Sequence, residues 1–282
     1  MRSTLPFLLA SALGALAQKS DSGSVWATPH EQYSSSVGVL GCLVDTNRIA
    51  YWPASISCTN ICVKLSYEGR SVHLLRVDRS EGAYDVSYDA WNYLKTGKSA
   101  TEEPVTGGPL PMDFENVDPE ECADLIKTDD GRLPLSASNS MNFLSSCLEE
   151  KDSWVGSNYQ LYNVLDSICS WGSKEKCDLD WPAANQAECP SGLGTPKTLT
   201  DLPVYNIEYG TGNYILASTG EEVDEPSSAS STMVRYTKPG ISIELPASGK
   251  ALAAGTGQSD GRRRLHVPFS LLLSLAVFFW MR

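Results

Sequence analysis

The sequence predicts a mainly β fold with α-helical additions, and three observations carry that expectation. Residues 61–94 read as strand, tight turn, strand, acidic loop and short helix in one uninterrupted run; a second hairpin pattern recurs over residues 204–217; and eight cysteines, an even number, supply the cross-links of an exported chain. Two strands alone do not make a stable sheet, so the first hairpin must belong to a larger one.

Taken from the start, residues 1–17 have the layout of a secretory signal. Arg2 is the basic n-region, Leu5 to Leu16 the apolar core, and Ala15-Leu16-Ala17 the small-x-small site that predicts cleavage before Gln18. Residues 18–36 are Ser-rich and polar and read as a flexible lead-in, so the folded part is expected to begin at Val37-Gly-Val-Leu-Gly-Cys42, followed by Asn47 to Pro53. Val63, Leu65 and Tyr67 then alternate with Lys64 and Ser66, Glu68-Gly69 supplies a turn, and Val72 to Val77 alternates again, which is a β-hairpin. Asp78 and Asp85 bracket the loop that follows. Ser87 is placed to cap a helix, with Asp89 in its first turn and Val86 and Trp91 at the two positions of a hydrophobic staple. Residues 95–108 form a loop, and a strand from Pro109 to Val117 is expected after it.

The order of these elements carries a resemblance. Cys62 opening a strand, Val77-Asp78 at the end of the next, and Asp85-Val86-Ser87-Tyr88-Asp89-Ala90-Trp91 leading into a helix resemble the pattern shared by the barwin, expansin and rare lipoprotein A group, and Gly108 to Val117 is similar to the closing strand of the expansin-type barrel. The resemblance covers about a third of the chain. It implies a six-stranded double-psi β-barrel over residues 37–117. It also implies that Asp85 stands where expansins carry the aspartate of their His-Phe-Asp motif, with Ala83 and Tyr84 replacing the first two residues. Tyr51-Trp52 resembles the aromatic pair that precedes the catalytic base in the related family 45 endoglucanases, but Pro53 stands where the base would be. Barwin-like proteins commonly have a cysteine after the Val-Asp pair, whereas this chain has Ser80, so Cys62 is expected to pair otherwise, with Cys58 or Cys42.

Beyond the barrel, residues 118–218 read as a disulfide-linked helical extension with a hairpin. Asp118-Pro119-Glu120-Glu121 is a helix start, with an N-cap aspartate, proline at the first helical position and glutamate three residues after the cap. A second helix is expected around Met141, Leu144, Cys147 and Leu148, and a third around Leu161, Val164, Leu165, Ile168 and Cys169, which fit helical spacing. Cys147 and Cys169 on their apolar faces would staple these helices to each other or to the barrel. Cys177 and Cys189 close a short loop and make a reasonable local pair; Cys122 completes the set of eight. Val204 to Tyr209 and Tyr214 to Ala217 flank Gly210-Thr211-Gly212 as a hairpin, and residues 219–257 turn Ser-, Pro- and Gly-rich, as a stalk would. Small residues at 253–257, a polar spacer and an apolar tail from Leu265 to Met281 match a GPI-attachment signal, making residues 258–282 a propeptide and attaching the protein to the cell surface through a lipid; a single-pass anchor is the alternative, for which the apolar stretch is marginal in length.

Charge and motif content narrow the chemistry. Losing five arginines and one aspartate with the two ends takes the formal net charge from −12 to −16, a surface that repels phosphate backbones and so excludes nucleic acid as a partner. No cofactor or metal is expected: Cys58-x-x-x-Cys62 stands alone, His30, His73 and His266 are scattered, and no phosphate-binding loop, nucleophile elbow or dinucleotide fingerprint occurs. Glycoside hydrolysis needs two carboxyl groups across a cleft. Asp85 and Asp78 are the candidates, and each has the alternative role of bonding loop amides beside a turn. Tyr51, Trp52, Tyr84 and Asp85 are the expected glycan contacts, with Trp52 and Tyr84 as exposed platforms and Trp91 as core. The expectation is a surface-anchored, expansin-like protein that binds or loosens cell-wall polysaccharide without ordinary hydrolysis. A protein-interaction module on the same scaffold, or a true glycosidase or lytic transglycosylase, are the alternatives.

Overall fold

Six strands close into a mixed β-barrel in a computed structural model that describes residues 22–226. The expected signal at 1–17, the propeptide at 258–282 and most of the stalk lie outside those residues. The strands are β1 (Ser22–His30), β2 (Ile49–Trp52), β3 (Cys62–Tyr67), β4 (Arg70–Arg79), β5 (Tyr84–Ser87) and β6 (Leu110–Val117), joined in the order β1-β5-β2-β4-β3-β6 and back to β1. Pairs β1–β5 and β2–β4 are parallel and the other four are antiparallel. The β3–β4 hairpin and the closing strand β6 stand where the sequence places them. The lead-in does not: Ser22–His30 is a barrel strand, because Val25 and Ala27 alternate with Trp26 and Thr28 and fill the barrel interior. The barrel therefore starts fifteen residues earlier than Val37.

The interior is packed by Val25, Ala27, Val63, Leu65, Leu74, Val86 and Met112. One end is plugged by α1 (Tyr88–Thr96), which buries Trp91 and Leu94 and stops at Gly97, whose φ of 84° is the left-handed conformation a helix terminus favours. Ser87 occupies the N-cap position without capping the helix through its side chain. Its hydroxyl instead donates to the Thr46 carbonyl at 2.8 Å and accepts the Ile49 amide at 2.9 Å, tying the helix start to β2. Asp89 in the first turn pairs with Arg48 at 2.6 Å and accepts from the Ala100 amide at 2.7 Å, so one carboxylate pins both a loop and the helix.

The remaining residues pack on the outside of the barrel. Ile49, Tyr51, Leu75 and Val77 turn outward from β2 and β4 and share one core with Leu133, Leu135, Leu144, Leu161 and Val164, so residues 118–218 and the barrel form a single unit rather than two domains. The expected helix at Asp118 is a 3-10 segment over Pro119–Leu125, and α2 (Met141–Glu149) is the second expected helix, followed by the single turn α3 (Trp154–Ser157). The third expected helix is a strand. Between β7 (Leu133–Ser136) and β9 (Gly172–Cys177) runs β8 (Tyr159–Val164), parallel to the first and antiparallel to the second. A register shift between Tyr162 and Val164 lets Leu161 and Val164 both be buried, which imitates helical spacing in the sequence. The expected hairpin is β10 (Tyr205–Ile207) and β11 (Tyr214–Leu216), and it gains a third strand, β12 (Glu222–Val223), from what read as stalk.

All eight cysteines are paired. Cys177–Cys189 closes the local loop as expected, but Cys62 bonds Cys122 and not Cys58 or Cys42, which bond Cys147 and Cys169. Three disulfides thus join residues 42–62 to the later part of the chain, the usual arrangement of an oxidising, extracellular environment. Replacing Cys62 and Cys122 together by alanine opens a link across 60 residues and is expected to cost about 2–5 kcal/mol, read by urea unfolding. An unchanged unfolding midpoint would show that the seam between barrel and extension is held by packing alone.

Candidate functional site

Strand register builds one row of side chains across four neighbouring strands. Thr28 on β1 lies opposite Asp85 on β5, Asp85 opposite Tyr51 on β2, and Tyr51 opposite Asp78 on β4. Ala27, Ala50 and Val86 point inward at the alternate positions, so the row lies on the outer face. Asp78 joins it only because the β2–β4 register shifts between Ala50 and Tyr51, which takes Val77 out of alignment. The two aspartates flank β2, two inter-strand spacings or about 10 Å apart along the sheet.

They are held very differently. Asp78 uses both carboxylate oxygens: Oδ1 accepts the Ser36 amide at 2.8 Å and the Arg79 amide at 2.7 Å, and Oδ2 accepts the Ser34 hydroxyl. It fastens the segment after β1 to the end of β4, the loop-anchoring role. Asp85 accepts one hydrogen bond, from the Thr28 hydroxyl to Oδ1, and its Oδ2 has no partner among the described residues. Tyr51 between them is only 3% exposed, lying under residues 30–34 with the His30 ring centroid 4.4 Å away. Burial, helped by the Asp78 and Asp85 carboxylates, raises its phenol well above the ordinary tyrosine value, so it stays protonated. Tyr33, also buried, is raised in the same way and donates to the Val39 carbonyl at 2.9 Å.

An open cleft of about 400 Å³ reaches Thr28 and is lined by Thr28, Pro29, Glu31, Gly107, Gly108 and Tyr209. The Tyr209 hydroxyl accepts the Gly107 amide at 2.6 Å and donates to the Gly107 carbonyl at 2.7 Å, fixing the far wall. Trp26, two residues before Thr28 on the same face of β1, is 65% exposed. The expected platforms are elsewhere: Trp52 is 2% exposed inside the barrel, and Tyr84 packs edge-on against it at 5.3 Å. Both point inward because their strand neighbours Tyr51 and Asp85 point out. None of the expected glycan contacts lines the cleft; Asp85 is joined to it only through its hydrogen bond with Thr28, which does. Thr28, Glu31, Trp26 and Tyr209 were not anticipated. The alternation of Val25-Trp26-Ala27-Thr28 was the available signal for two of them, Trp26 and Thr28, whereas nothing local points to Glu31, just past the strand, or to Tyr209, which comes from the other end of the chain. A separate cavity of about 330 Å³ lies in the extension beside Trp171, which is 48% exposed. Among the described residues no three His, Cys, Asp or Glu side chains gather as a metal site would require.

The two aspartates are expected to differ in stability effect. Asp78→Ala leaves two amides and a hydroxyl without their acceptor and should cost about 1–3 kcal/mol, whereas Asp85→Ala, which releases one hydroxyl to solvent, should cost under about 0.5 kcal/mol. Urea titration of both variants checks this. Equal losses would contradict the division into an anchoring and an available carboxylate.

No family model matches the chain, and no curated protein is similar to it in sequence, so the reading of this face rests on its geometry.

Proposed function

We propose that the open end of the outer-face row, Thr28 and Asp85, together with the cleft beside Thr28 binds a cell-wall polysaccharide, holding or loosening it without ordinary hydrolysis. The observation that carries this reading is Oδ2 of Asp85, the one oxygen of the two aspartates without a partner among the described residues, on a carboxylate whose other oxygen is bonded to Thr28, a residue that lines an open cleft. Trp26 adds an exposed aromatic face about 7 Å along the same strand, suited to stacking on a pyranose ring. In this reading the barrel is of the double-psi, expansin-like kind. Its two parallel pairs, bridged by the antiparallel β2–β5 pair, support that assignment. The disulfides suit a secreted protein, and in this reading the apolar tail pattern is a GPI-attachment signal that holds it at the cell surface, from which phosphatidylinositol-specific phospholipase C should release it.

A second reading has one observation in its favour. Glu31 lines the same cleft as Thr28, so a second carboxyl group is available where Pro53 had argued there was none. With Asp85 as one partner and Glu31 as the other, the two-carboxylate chemistry of a glycosidase becomes formally available.

Sedimentation with insoluble glucan, chitin and cellulose, run beside a reducing-sugar assay, separates these readings. Binding to at least one polymer without sugar release, weakened several-fold by Asp85→Asn and by Trp26→Ala with unfolding unchanged, is the expected result. Turnover lost in both Asp85→Asn and Glu31→Gln would establish hydrolysis instead. Failure to bind any polymer would leave a protein-interaction scaffold.

A further inference from the structure

Trp171 is one of two large apolar side chains left exposed among the described residues, and unlike Trp26 it belongs to the extension. The loop that carries it is fixed at several points. Both oxygens of the Asp166 carboxylate are engaged, Oδ1 by the Ser170 amide at 2.9 Å and Oδ2 by the Ser170 hydroxyl at 2.8 Å and the Trp171 amide at 3.0 Å. Cys169 has a φ of 56°, in the left-handed region, and is joined to Cys42 by a disulfide. Gly172 follows with a φ of 122° and passes so close to β8 that a Cβ there would lie 2.3 Å from the Asn163 carbonyl oxygen. An exposed indole is thus held in a set position, the preorganisation that lowers the cost of binding.

The ring lines the cavity of about 330 Å³. Cys169 and Val204 are buried in its wall beside half-buried Ile168, Leu199 and Leu216, while Thr198, Thr200, Ser218 and Thr219 are exposed and put hydroxyls at its rim. No charged residue lines it. Its walls are tied to one another through the backbone: the Leu199 amide donates to the Ser170 carbonyl at 2.9 Å and the Ala217 amide to the Val204 carbonyl at 2.9 Å. The hollow is therefore preformed, and these backbone groups bond each other rather than an added peptide strand. Its volume falls at the lower end of the roughly 300–1,000 Å³ of small-molecule sites, and an apolar hollow offers water few partners.

We propose that this cavity binds an uncharged, largely apolar small molecule built on one or two rings, packed against Trp171, with any hydroxyl or amine it carries at the rim. A charged ligand would give up hydration with no counter-charge among the lining residues, and the net charge of −12 repels an anion in particular. A sugar, with a hydroxyl on nearly every carbon, would turn several of them onto the apolar wall without acceptors. The site shares no lining residue with the Thr28 cleft and goes beyond the polysaccharide reading of that face.

Phenylnaphthylamine, a neutral dye that brightens on leaving water, is the probe, and anilinonaphthalene sulfonate, the same ring system with a negative charge, is its control. The expected result is saturable binding of the neutral dye to the full chain, about tenfold or more tighter than that of the sulfonate. Trp171→Ala should weaken binding of the neutral dye about tenfold while leaving the urea unfolding midpoint unchanged, because the ring is exposed. Trp171→Tyr, which keeps a smaller ring, should bind at intermediate strength and serves if the alanine variant does not fold. Trp26→Ala, which removes the other exposed tryptophan, should bind the dye as the wild type does. The proposal is overturned if the neutral dye does not saturate, if the sulfonate binds as tightly, or if the dye binds equally to wild type and whichever Trp171 variant folds. It is also overturned if the wild type is a dimer that Trp171→Ala dissociates, since the surface would then be a contact between copies of the chain.

Discussion

Closure of the barrel by its first strand is the constraint on which the other features depend. β1 pairs antiparallel with β6 along one edge and parallel with β5 along the other, so without it both neighbours would be open edges. Its inward residues Val25 and Ala27 complete the core, and on its outward face Thr28 bonds Asp85 and lines the cleft, with the exposed Trp26 two residues before it. One nine-residue strand thus supplies the closure and half of the candidate site. The segment that follows it is held by Asp78 and covers Tyr51, which links the same closure to the protonation of the phenol.

The extension is bound to the barrel by shared burial and by covalent links. Its apolar residues meet the outward sides of β2 and β4, the strands that also present Tyr51 and Asp78, and three disulfides cross the same seam. The two faces of β2 are therefore both buried, one in the barrel and one under the extension, as the burial of Ile49, Ala50, Tyr51 and Trp52 alike requires. A sugar cannot reach these aromatic residues. The exposed rings belong to Trp26 and Trp171, on segments with one face left open.

Local pattern made part of this legible in the sequence. The β3–β4 hairpin, α1, β6, α2 and the β10–β11 hairpin all follow from alternation, turn residues and staple positions that lie within a few residues of one another. What failed did so for identifiable reasons. Ser22–His30 was hidden by its serines and glycine, since a strand whose outer face is solvated needs only Val25 and Ala27 inside. β8 imitated a helix because a register shift broke its period of two. Which face each of Tyr51 and Trp52 occupies depends on pairing with β4 and β5, a nonlocal fact. The disulfide partners of Cys42, Cys58 and Cys62 are equally nonlocal, whereas Cys177–Cys189, across 12 residues, was legible. Asp85 was found from its place in a motif; its availability became visible only beside the three bonds that occupy Asp78.

The claim on which the account turns is that residues 22–30 form a closed-in barrel strand and that this strand carries the ligand-contacting face. Amide hydrogen exchange over this segment, in the free protein and with a soluble oligosaccharide of whichever polymer it binds, tests both halves at once. The account predicts slow exchange of the paired amides from Val25 to Thr28 in the free protein, comparable to β3, with further slowing confined to β1, β5 and the 107–108 loop when the oligosaccharide is present. Exchange at the rate of an unstructured lead-in, or oligosaccharide protection appearing only around Trp171, would contradict it.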